Sequence, residues 1–390
     1  MKKIILFAFT LVFLLFGSII CAQGAQITQS YTDENQTVHI TVAPGGEDDT
    51  AVLKKIMTDN ASSALSLVFS AGEYNISSTL PIYDNTSIFA QNAVINQTTD
   101  GKGILINANC LNGVGTPSKA YGSLKNVEID GGLWCTTARA DKSKTLKDNG
   151  YYVGYSTFLF MHAQNITVKN CSFKNNYNGH FVEFAGVKNG KIINCDMALK
   201  NSTYVGEMSN EAIQLDNTYQ QSNSPVGFPW DDTVCKNILV KNCKIKYARG
   251  IGTNRIGNKF FENIVIEGCK ITALNEGINI YDTLGITVKN STITSLGKKD
   301  DYTSSGVYIG LDSKVKSKKK CNVTIQGNKI TGYHAGLKIC VPKNNTKFNT
   351  VTVKGNRLYS KKNKSKAFVV SYNGKQINKL IFEKNTVKKK

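Results

Sequence analysis

The stretch NITVKNCSF, residues 165–173, carries the pattern that decides the fold. Apolar and polar residues alternate through it, which is typical of a strand with one buried face and excludes an amphipathic helix. Related stretches start 22–47 residues apart along the rest of the chain, a period that indicates a solenoid of strands with insertions in its longer turns. The further copies are GKIINCDM (190–197), NILVKNCKI (237–245), NIVIEGCKI (263–271), GITVKNSTI (285–293), NVTIQGNKI (322–330), TVTVKGNRL (350–358) and KLIFEKNTV (379–387).

A second short strand lies between successive copies. Two or three strands per coil, stacked coil upon coil, predict an all-β fold, the parallel β-helix, and the chirality of parallel crossovers makes it right-handed. The second strands read HFVEF (180–184), EAIQL (211–215), RGIGT (249–253), EGINI (276–280), SGVYI (305–309) and AGLKI (335–339).

The first 25 residues have the composition of a secretory signal. Met1-Lys2-Lys3 is positively charged, and residues 4–20 are predominantly apolar before a short run of small residues. We predict a signal peptide over residues 1–25, with an uncleaved membrane anchor as the alternative, and one domain over residues 26–390. The expected location is secreted or at the cell surface, with no membrane contact after the signal is removed.

One position of the repeat is held by cysteine in four copies. Because stacked strands lie about 4.8 Å apart, equivalent positions form a ladder of like residues. Removing the signal leaves an odd number of cysteines, which together with this register favours buried free thiols over a disulfide framework. The ladder consists of Cys171, Cys195, Cys243 and Cys269 and continues as Ser291, Asn328, Asn356 and Asn385.

A helix is predicted before the repeats. Asp48-Asp49-Thr50 forms an N-cap signal, and the residues that follow have apolar side chains at helical spacing. An open solenoid end exposes unpaired strand edges, so we interpret residues 48–60 as the N-terminal cap of the solenoid. The repeated coils then occupy residues 123–390.

The chain is strongly basic, with a formal net charge of +20. Lysines cluster late, at residues 314–320, 361–364 and 388–390. Two interpretations stay open: solvated turns that keep a long sheet protein dissolved, or attraction to an anionic polymer. Nucleic acid is disfavoured as a partner because the protein is expected to be exported and no basic motif interleaved with aromatic residues occurs. We expect a monomer that binds a polysaccharide. The positive net charge of the protein favours an anionic one.

These features resemble the secreted, pectate-lyase-like superfamily of right-handed parallel β-helix proteins, in particular its polygalacturonase-type branch. The resemblance covers nearly all of the mature chain. It rests on DDTA (48–51), LVFSAGEYNIS (67–77), SLKNVEIDGGLW (123–134) and the repeated strand.

The catalytic motifs of polygalacturonases are not retained. In that family, catalytic aspartates stand at the start of the second strand in Asn-Thr-Asp and Asp-Asp motifs, with Gly-His-Gly one coil further on. The equivalent positions here hold His180, Asn210-Glu211 and Arg249-Gly250. The resemblance therefore implies the fold and a polysaccharide groove, without the same chemistry.

Aligning the second strands by their apolar pairs places charged and polar residues in two outward lines, which we expect on the solvent face. The first line is His180, Glu211, Arg249, Glu276 and Ser305, and the second is Glu183, Gln214, Gly252, Asn279 and Tyr308. From these lines and their borders we select as catalytic candidates Glu211, Arg249, His180, Glu183 and Asp216, and as substrate-binding candidates Gln214, Asn254, Arg255, Glu276, Asn279, Tyr281 and Trp230. No metal ligands are assigned, and His162 and His334 are interpreted as structural.

Two chemistries fit these residue types. Glycoside hydrolysis needs two carboxyl groups, which Glu183, Glu211 and Asp216 could supply. β-Elimination of a uronide needs a base and a cation, for which Arg249, His180 or Tyr281 could serve. Calcium, held by the same three carboxylates, is the cofactor that this reaction could use. Trp230, in the insertion 217–236, either packs that loop or forms a wall on which a sugar stacks.

The predicted function is a secreted carbohydrate-active protein that binds a polysaccharide and cleaves it, as a polysaccharide lyase or a glycoside hydrolase. The alternative is a non-catalytic surface adhesin or a cell-wall-binding β-helix protein. The groove separates them: carboxylates that point into turns or pair fully with lysines would favour binding alone.

Overall fold

A computed structural model shows a parallel β-helix in which each coil contributes one strand to each of three sheets, named here sheets 1, 2 and 3. Sheets 1 and 3 are continuous through two long strands that run across both. The structure describes residues 24–99, 101–111, 118–136, 156–176, 179–198, 210–219, 229–254, 257–297, 304–311, 320–341, 347–362, 366–370 and 375–390. The predicted signal peptide lies almost wholly outside them.

Sheet 1 contains the repeated strand of the sequence analysis. Its strands are β2 Thr37–Ala43, β3 Ala64–Phe69, β6 Thr86–Phe89, β9 Leu124–Asp130, the second halves of β11 Phe158–Lys169 and β13 Val182–Ile193, β16 Lys236–Lys241, β19 Glu262–Glu267, β22 Gly285–Lys289, β25 Cys321–Gln326, β28 Phe348–Lys354 and β31 Ile377–Glu383.

Sheets 2 and 3 complete each coil. Sheet 2 comprises β4 Gly72–Ile76, β7 Ala93–Gln97, β10 Leu133–Cys135, β12 Ser172–Lys174, β14 Asp196–Ala198, β17 Lys244–Tyr247, β20 Lys270–Ala273, β23 Thr292–Ser295, β26 Lys329–Gly332, β29 Arg357–Ser360 and β32 Thr386–Lys389. Sheet 3 comprises β5 Leu80–Ile82, β8 Leu105–Asn107, the first halves of β11 and β13, β15 Glu211–Asp216, β18 Arg249–Thr253, β21 Ile278–Tyr281, β24 Ser305–Gly310, β27 Ala335–Cys340 and β30 Phe368–Val370.

Asparagines at both ends of the repeated strand make the corners of the coil. Asn165 and Asn170 have φ of 58° and 55°, in the left-handed region that asparagine and glycine tolerate best. The corner asparagines also bond from coil to coil, as where the Nδ2 of Asn189 donates to the Oδ1 of Asn165 at 3.0 Å. The two asparagines of NITVKN thus fix where sheet 1 begins and ends in each coil.

The predicted cysteine ladder lies inside the solenoid, and the nine cysteines that the structure describes are all free. The neighbouring thiol of Cys195 and burial raise the pKa of Cys243 to about 12, so the thiol stays protonated. In the later coils, asparagines occupy the same line and are satisfied internally: the Nδ2 of Asn328 donates to the carbonyl of Val288 at 2.8 Å. The ladder is structural, as predicted.

The N-terminal end is covered in two ways, of which the sequence indicated one. Helix α1, Thr50–Asp59, lies within the predicted segment and buries Leu53, Ile56 and Met57. The N-cap, Asp49, makes no side-chain cap bond; its carboxylate instead accepts the backbone N–H of Asn75 at 2.9 Å. Strand β1, Gln26–Thr32, was not predicted, and it pairs antiparallel with β2 at the outer edge of sheet 1.

None of the helices within the described residues is long and apolar enough to span a membrane.

Candidate functional site

The strands of sheet 3 bring both predicted lines of side chains together. The register pairs Glu211 with Arg249, and it pairs Glu183 with Gln214 and Gln214 with Gly252. The second line then continues through Asn279, Tyr308 and Lys338. Residues that were widely separated in sequence therefore form a single surface, which we call the groove.

The exposure of this surface differs from the expectation. The two lines are three residues apart, and the positions between them, such as Ala212 and Ile213, are both in the core. Glu211 is only 8% exposed, Asp216 4% and Glu183 7%. The solvent-face placement was wrong because the strand turns inward at its start, which sequence alternation alone does not reveal.

Arg249 bridges two carboxylates of the first line. Its Nε lies 2.9 Å from Oε2 of Glu276, and its Nη1 lies 3.4 Å from Oε1 of Glu211. Burial works against the charged guanidinium, but the Glu276 and Glu211 carboxylates outweigh it and raise the pKa of Arg249. Arg249 is therefore a fixed positive charge between two glutamates.

A glycine makes room for the Glu211 side chain. A Cβ atom at position 252, one coil on, would stand 2.6 Å from the Cγ of Glu211 and 3.0 Å from its Oε1. Gly252 therefore lets the glutamate lie across the neighbouring strand and reach Arg249. Glycine is required at position 252 because any Cβ there would collide with Glu211. The backbone conformation of Gly252 is an ordinary one for any residue.

A second carboxyl pair lies beside the first line. Burial and the carboxylate of Glu183 raise the pKa of Asp216 well above its ordinary value, and a hydrogen bond from Gln214 only partly opposes them. The Nε2 of Gln214 donates to Oδ1 of Asp216, and the Oγ of Ser156 donates to Oε2 of Glu183. These surroundings therefore favour the protonated form of Asp216, which shares a hydrogen bond with Glu183.

His180 completes the first line at its N-terminal side. The ring Nδ1 lies 2.6 Å from the backbone carbonyl oxygen of Glu211, so this nitrogen carries the proton. The bonded partner of His180 is therefore the backbone of β15, one coil further on. His162 is structural as predicted: it is fully buried and its Nδ1 contacts the carbonyl of Ala120 at 2.9 Å.

Several amide groups of the groove lack hydrogen-bond partners among the described residues. The atoms are Oε1 of Gln214, both side-chain polar atoms of Asn254, and Oδ1 of Asn279. Buried polar groups in native proteins are nearly always paired, and those left open in a cleft are available to a ligand or to water. Three of the predicted substrate-binding residues thus present unsatisfied polar atoms.

Aromatic side chains continue the groove toward the C-terminal coils. The rings of Tyr281 and Tyr308 lie 5.0 Å apart at 39°, and the Nζ of Lys338 stands 5.3 Å from the Tyr308 ring centre. A side chain at Gly310 would collide with the Tyr281 ring at 2.8 Å. Sugars commonly pack against such exposed aromatic faces because their C–H groups are apolar.

Two predicted residues are not placed in the groove. Arg255 lies outside the described residues, as do residues 220–228 of the insertion 217–236. Trp230 is 39% exposed, and the neighbouring Asp231 fastens this segment by accepting the hydroxyl of Thr218 at 2.7 Å. The sugar-stacking wall stays a prediction.

Two contributors were missed. Lys338 continues the second line one coil beyond Tyr308, so the alignment could have included it. Ser156 bonds to Glu183 from a segment before the repeats, where no sequence pattern points to it. Among the described residues no group of three His, Cys, Asp or Glu side chains could hold a metal ion.

Comparison with known proteins agrees with the fold. A family model described as "right handed beta helix region" matches residues 112–293. A relative, the plasmin and fibronectin-binding protein A of Streptococcus pneumoniae (strain ATCC BAA-255 / R6), is 23% identical over 184 residues, which cover 40% of this chain and 25% of that protein.

Solved structures give the same result over most of the chain. The structure of PfbA, a surface adhesin of Streptococcus pneumoniae, matches with a TM-score of 0.54 and 15% identity, covering 88% of this chain and 90% of that one. A polygalacturonase from Erwinia carotovora ssp. carotovora matches with a TM-score of 0.51 and 13% identity, covering 94% and 95%. The right-handed parallel β-helix fold is confirmed, and that fold serves both an adhesin and an enzyme.

Proposed function

We propose that the protein binds an extended polysaccharide along the groove and hydrolyses it. Asp216 supplies the proton to the leaving oxygen, and Glu211 acts as the second carboxyl group, either as base for water or as nucleophile. The observation that carries this proposal is the contrast between Asp216, whose pKa is raised by burial and by Glu183, and Glu211, which pairs with Arg249 on the same surface. Carboxyl groups whose surroundings drive them to opposite protonation states are the usual sign of an acid and its partner base.

Hydrolysis fits the groove better than β-elimination. Elimination needs a cation free to neutralise the carboxylate of the sugar, and Arg249 is already bound to Glu276 and Glu211. Calcium does not fit here either, because the carboxyl groups do not converge as a ligand set among the described residues. We therefore assign no step to calcium.

The open amides and the tyrosines supply binding. From Glu183 to Lys338 the groove crosses five coil steps, which at the spacing of stacked strands is about 24 Å and room for several sugars. Gln214, Asn254 and Asn279 would bond to sugar hydroxyls, and Tyr281 with Tyr308 would support a sugar face. Among the described residues the groove carboxylates contact Arg249 and each other, which favours cleavage over binding alone.

A second candidate function rests on the comparison with the streptococcal adhesin. That relative is named for binding plasmin and fibronectin, and its solved neighbour is described as a surface adhesin. Under this alternative the protein is a secreted or surface-attached binder, and the groove serves recognition without turnover.

The test is incubation with a panel of neutral and uronic-acid polysaccharides, scored for new reducing ends and for the ultraviolet absorbance of an unsaturated uronide. We expect reducing ends without absorbance, and a loss of at least about a hundredfold in turnover for Glu211→Gln. Glu73→Gln, an exposed glutamate on sheet 2, is the control and should keep full activity.

Ultraviolet absorbance from an unsaturated uronide would instead show that the reaction is β-elimination. Binding to a polysaccharide or to fibronectin with no product from any member of the panel would favour the adhesin.

A further inference from the structure

Sheet 2 carries an uncompensated row of positive charge. One outward line runs from β17 to β29 and pairs Lys244 with Lys270 and Lys329 with Arg357, with Thr292 between the two pairs. All five side chains are exposed. The parallel line two residues on adds the exposed Lys246. We call the first line the lysine ladder.

The lysine ladder differs from the lysines of sheet 1. There, two half-buried lysines have carboxylate partners on neighbouring strands, Lys236 with Glu262 at 2.6 Å and Lys289 with Glu267 at 3.4 Å. No carboxylate within the described parts of the chain lies within 4.0 Å of a ladder nitrogen. Asp196, one coil before Lys244, begins the same line without forming such a pair.

Like charges placed directly opposite each other on neighbouring strands destabilise a sheet. Adjacent ladder residues stand one coil apart, about 4.8 Å along the solenoid, so they repel unless a ligand neutralises them. Threonine at 292 shows that the line also accepts a neutral residue. The cations are therefore not required by the fold.

We propose that sheet 2 is a docking surface for a linear polysaccharide bearing a carboxylate on its sugars, separate from the groove on sheet 3. The ladder is straight and spans about 19 Å over four coil steps, which suits a chain lying along the solenoid axis. Threonine hydroxyls at 272, 292 and 294 lie among the charges and can bond to sugar hydroxyls.

Nucleic acid fits this surface less well. Single-stranded nucleic acids bind through aromatic side chains on which the bases stack, interleaved with positive charge. In the described strands from β14 to β32, Tyr359 is the one aromatic residue on the outward lines of sheet 2. The ladder therefore offers charge and hydroxyl groups but no stacking platform.

The inference does not depend on the reaction proposed for the groove. The test is affinity electrophoresis of the intact protein in gels containing polygalacturonate, with dextran and a single-stranded oligonucleotide as competing ligands. The variant Lys270→Thr/Lys329→Thr converts two ladder cations into the residue that the line already holds at 292. The control Lys191→Thr/Lys241→Thr removes the same charge from sheet 1, where neither lysine forms an ion pair among the described residues.

We expect the apparent Kd for polygalacturonate to rise at least about tenfold in the sheet 2 variant and less than about twofold in the control, with a shallower dependence on salt in the former. Glu211→Gln should retain binding to polygalacturonate, which separates this result from the activity of the groove. Equal losses in both double variants, no binding by the parent protein, or tighter binding of the oligonucleotide would each overturn the inference.

Discussion

Sheets 2 and 3 belong to the same coils, yet their outward faces use charge in opposite ways. On sheet 3 the charged groups are buried, paired and held in place, as Arg249 is between Glu211 and Glu276. In the lysine ladder on sheet 2 the charges are exposed and of one sign, as in Lys244 and Lys270. Burial fixes a charge and shifts its protonation, whereas exposure leaves it screened and available for long-range attraction. The contrast assigns chemistry to the groove and capture of a polymer to the ladder.

The largest difference between buried and exposed charges should appear in the free energy of unfolding when one charge of each kind is removed. Arg249→Ala removes the positive charge that two buried glutamates share and should lower the free energy of unfolding by about 3 kcal/mol. Lys236→Ala breaks an exposed pair with Glu262 and should cost less than about 1 kcal/mol. Urea unfolding measures both. Similar losses of unfolding free energy in the two variants would show that buried and exposed ion pairs contribute equally, against this account.

A smaller change tests the packing of the groove. Gly252→Ala introduces a methyl group 2.6 Å from the Cγ of Glu211, so the carboxylate must move and activity should fall about tenfold with little change in stability. Gly285→Ala is the matched control, because its nearest neighbour would be 3.9 Å away. Kinetics on the substrate found in the panel decide the result, and an unaffected Gly252→Ala protein would show that Glu211 acts elsewhere.

The buried acid should also make stability depend on pH. Asp216 has a folded pKa raised above the ordinary value of 3.8, so between those two pKa values folding takes up a proton and stability falls as pH rises. Asp216→Asn removes that proton and should lose activity while unfolding at a higher temperature than the parent protein near pH 7. At pH 4 the difference should shrink. Thermal unfolding across this range would contradict the assignment if Asp216→Asn were less stable at every pH.

The smallest effect concerns the gap in the lysine ladder. Thr292→Lys would place a fifth cation between Lys270 and Lys329 and raise the affinity for polygalacturonate by about threefold at low salt. Added repulsion should also lower stability slightly, by less than about 1 kcal/mol, and salt should restore it. Affinity that stays constant at low salt would mean that position 292 is not on the binding surface.

Much of the fold could be predicted from the sequence because the repeat is local. The alternation in NITVKNCSF fixes a strand, and the recurring cysteine fixes the register of one coil on the next. Strand β1 escaped prediction because it is exposed along its whole length and pairs antiparallel outside the repeat.

The groove was predictable in its positions but not in its electrostatics. The two outward lines followed from aligning Glu211, Arg249 and Gln214 by their apolar neighbours. The burial of Glu211 and Asp216 did not follow, because it depends on how the strand turns at its start and on contacts such as that between Ser156 and Glu183. Protonation is set by such contacts, which no spacing in the sequence records.

The central claim is that burial and the carboxylate of Glu183 raise the pKa of Asp216 well above its ordinary value, so that Asp216 can serve as the acid. Carbon-13 NMR of side-chain carboxyl groups, titrated in the parent protein, Asp216→Asn and Glu211→Gln, measures it directly. We predict one resonance that titrates well above the ordinary carboxyl range and is absent only from Asp216→Asn. A parent protein whose carboxyl groups all titrate below about pH 5, near the ordinary values for Asp and Glu, would contradict the account.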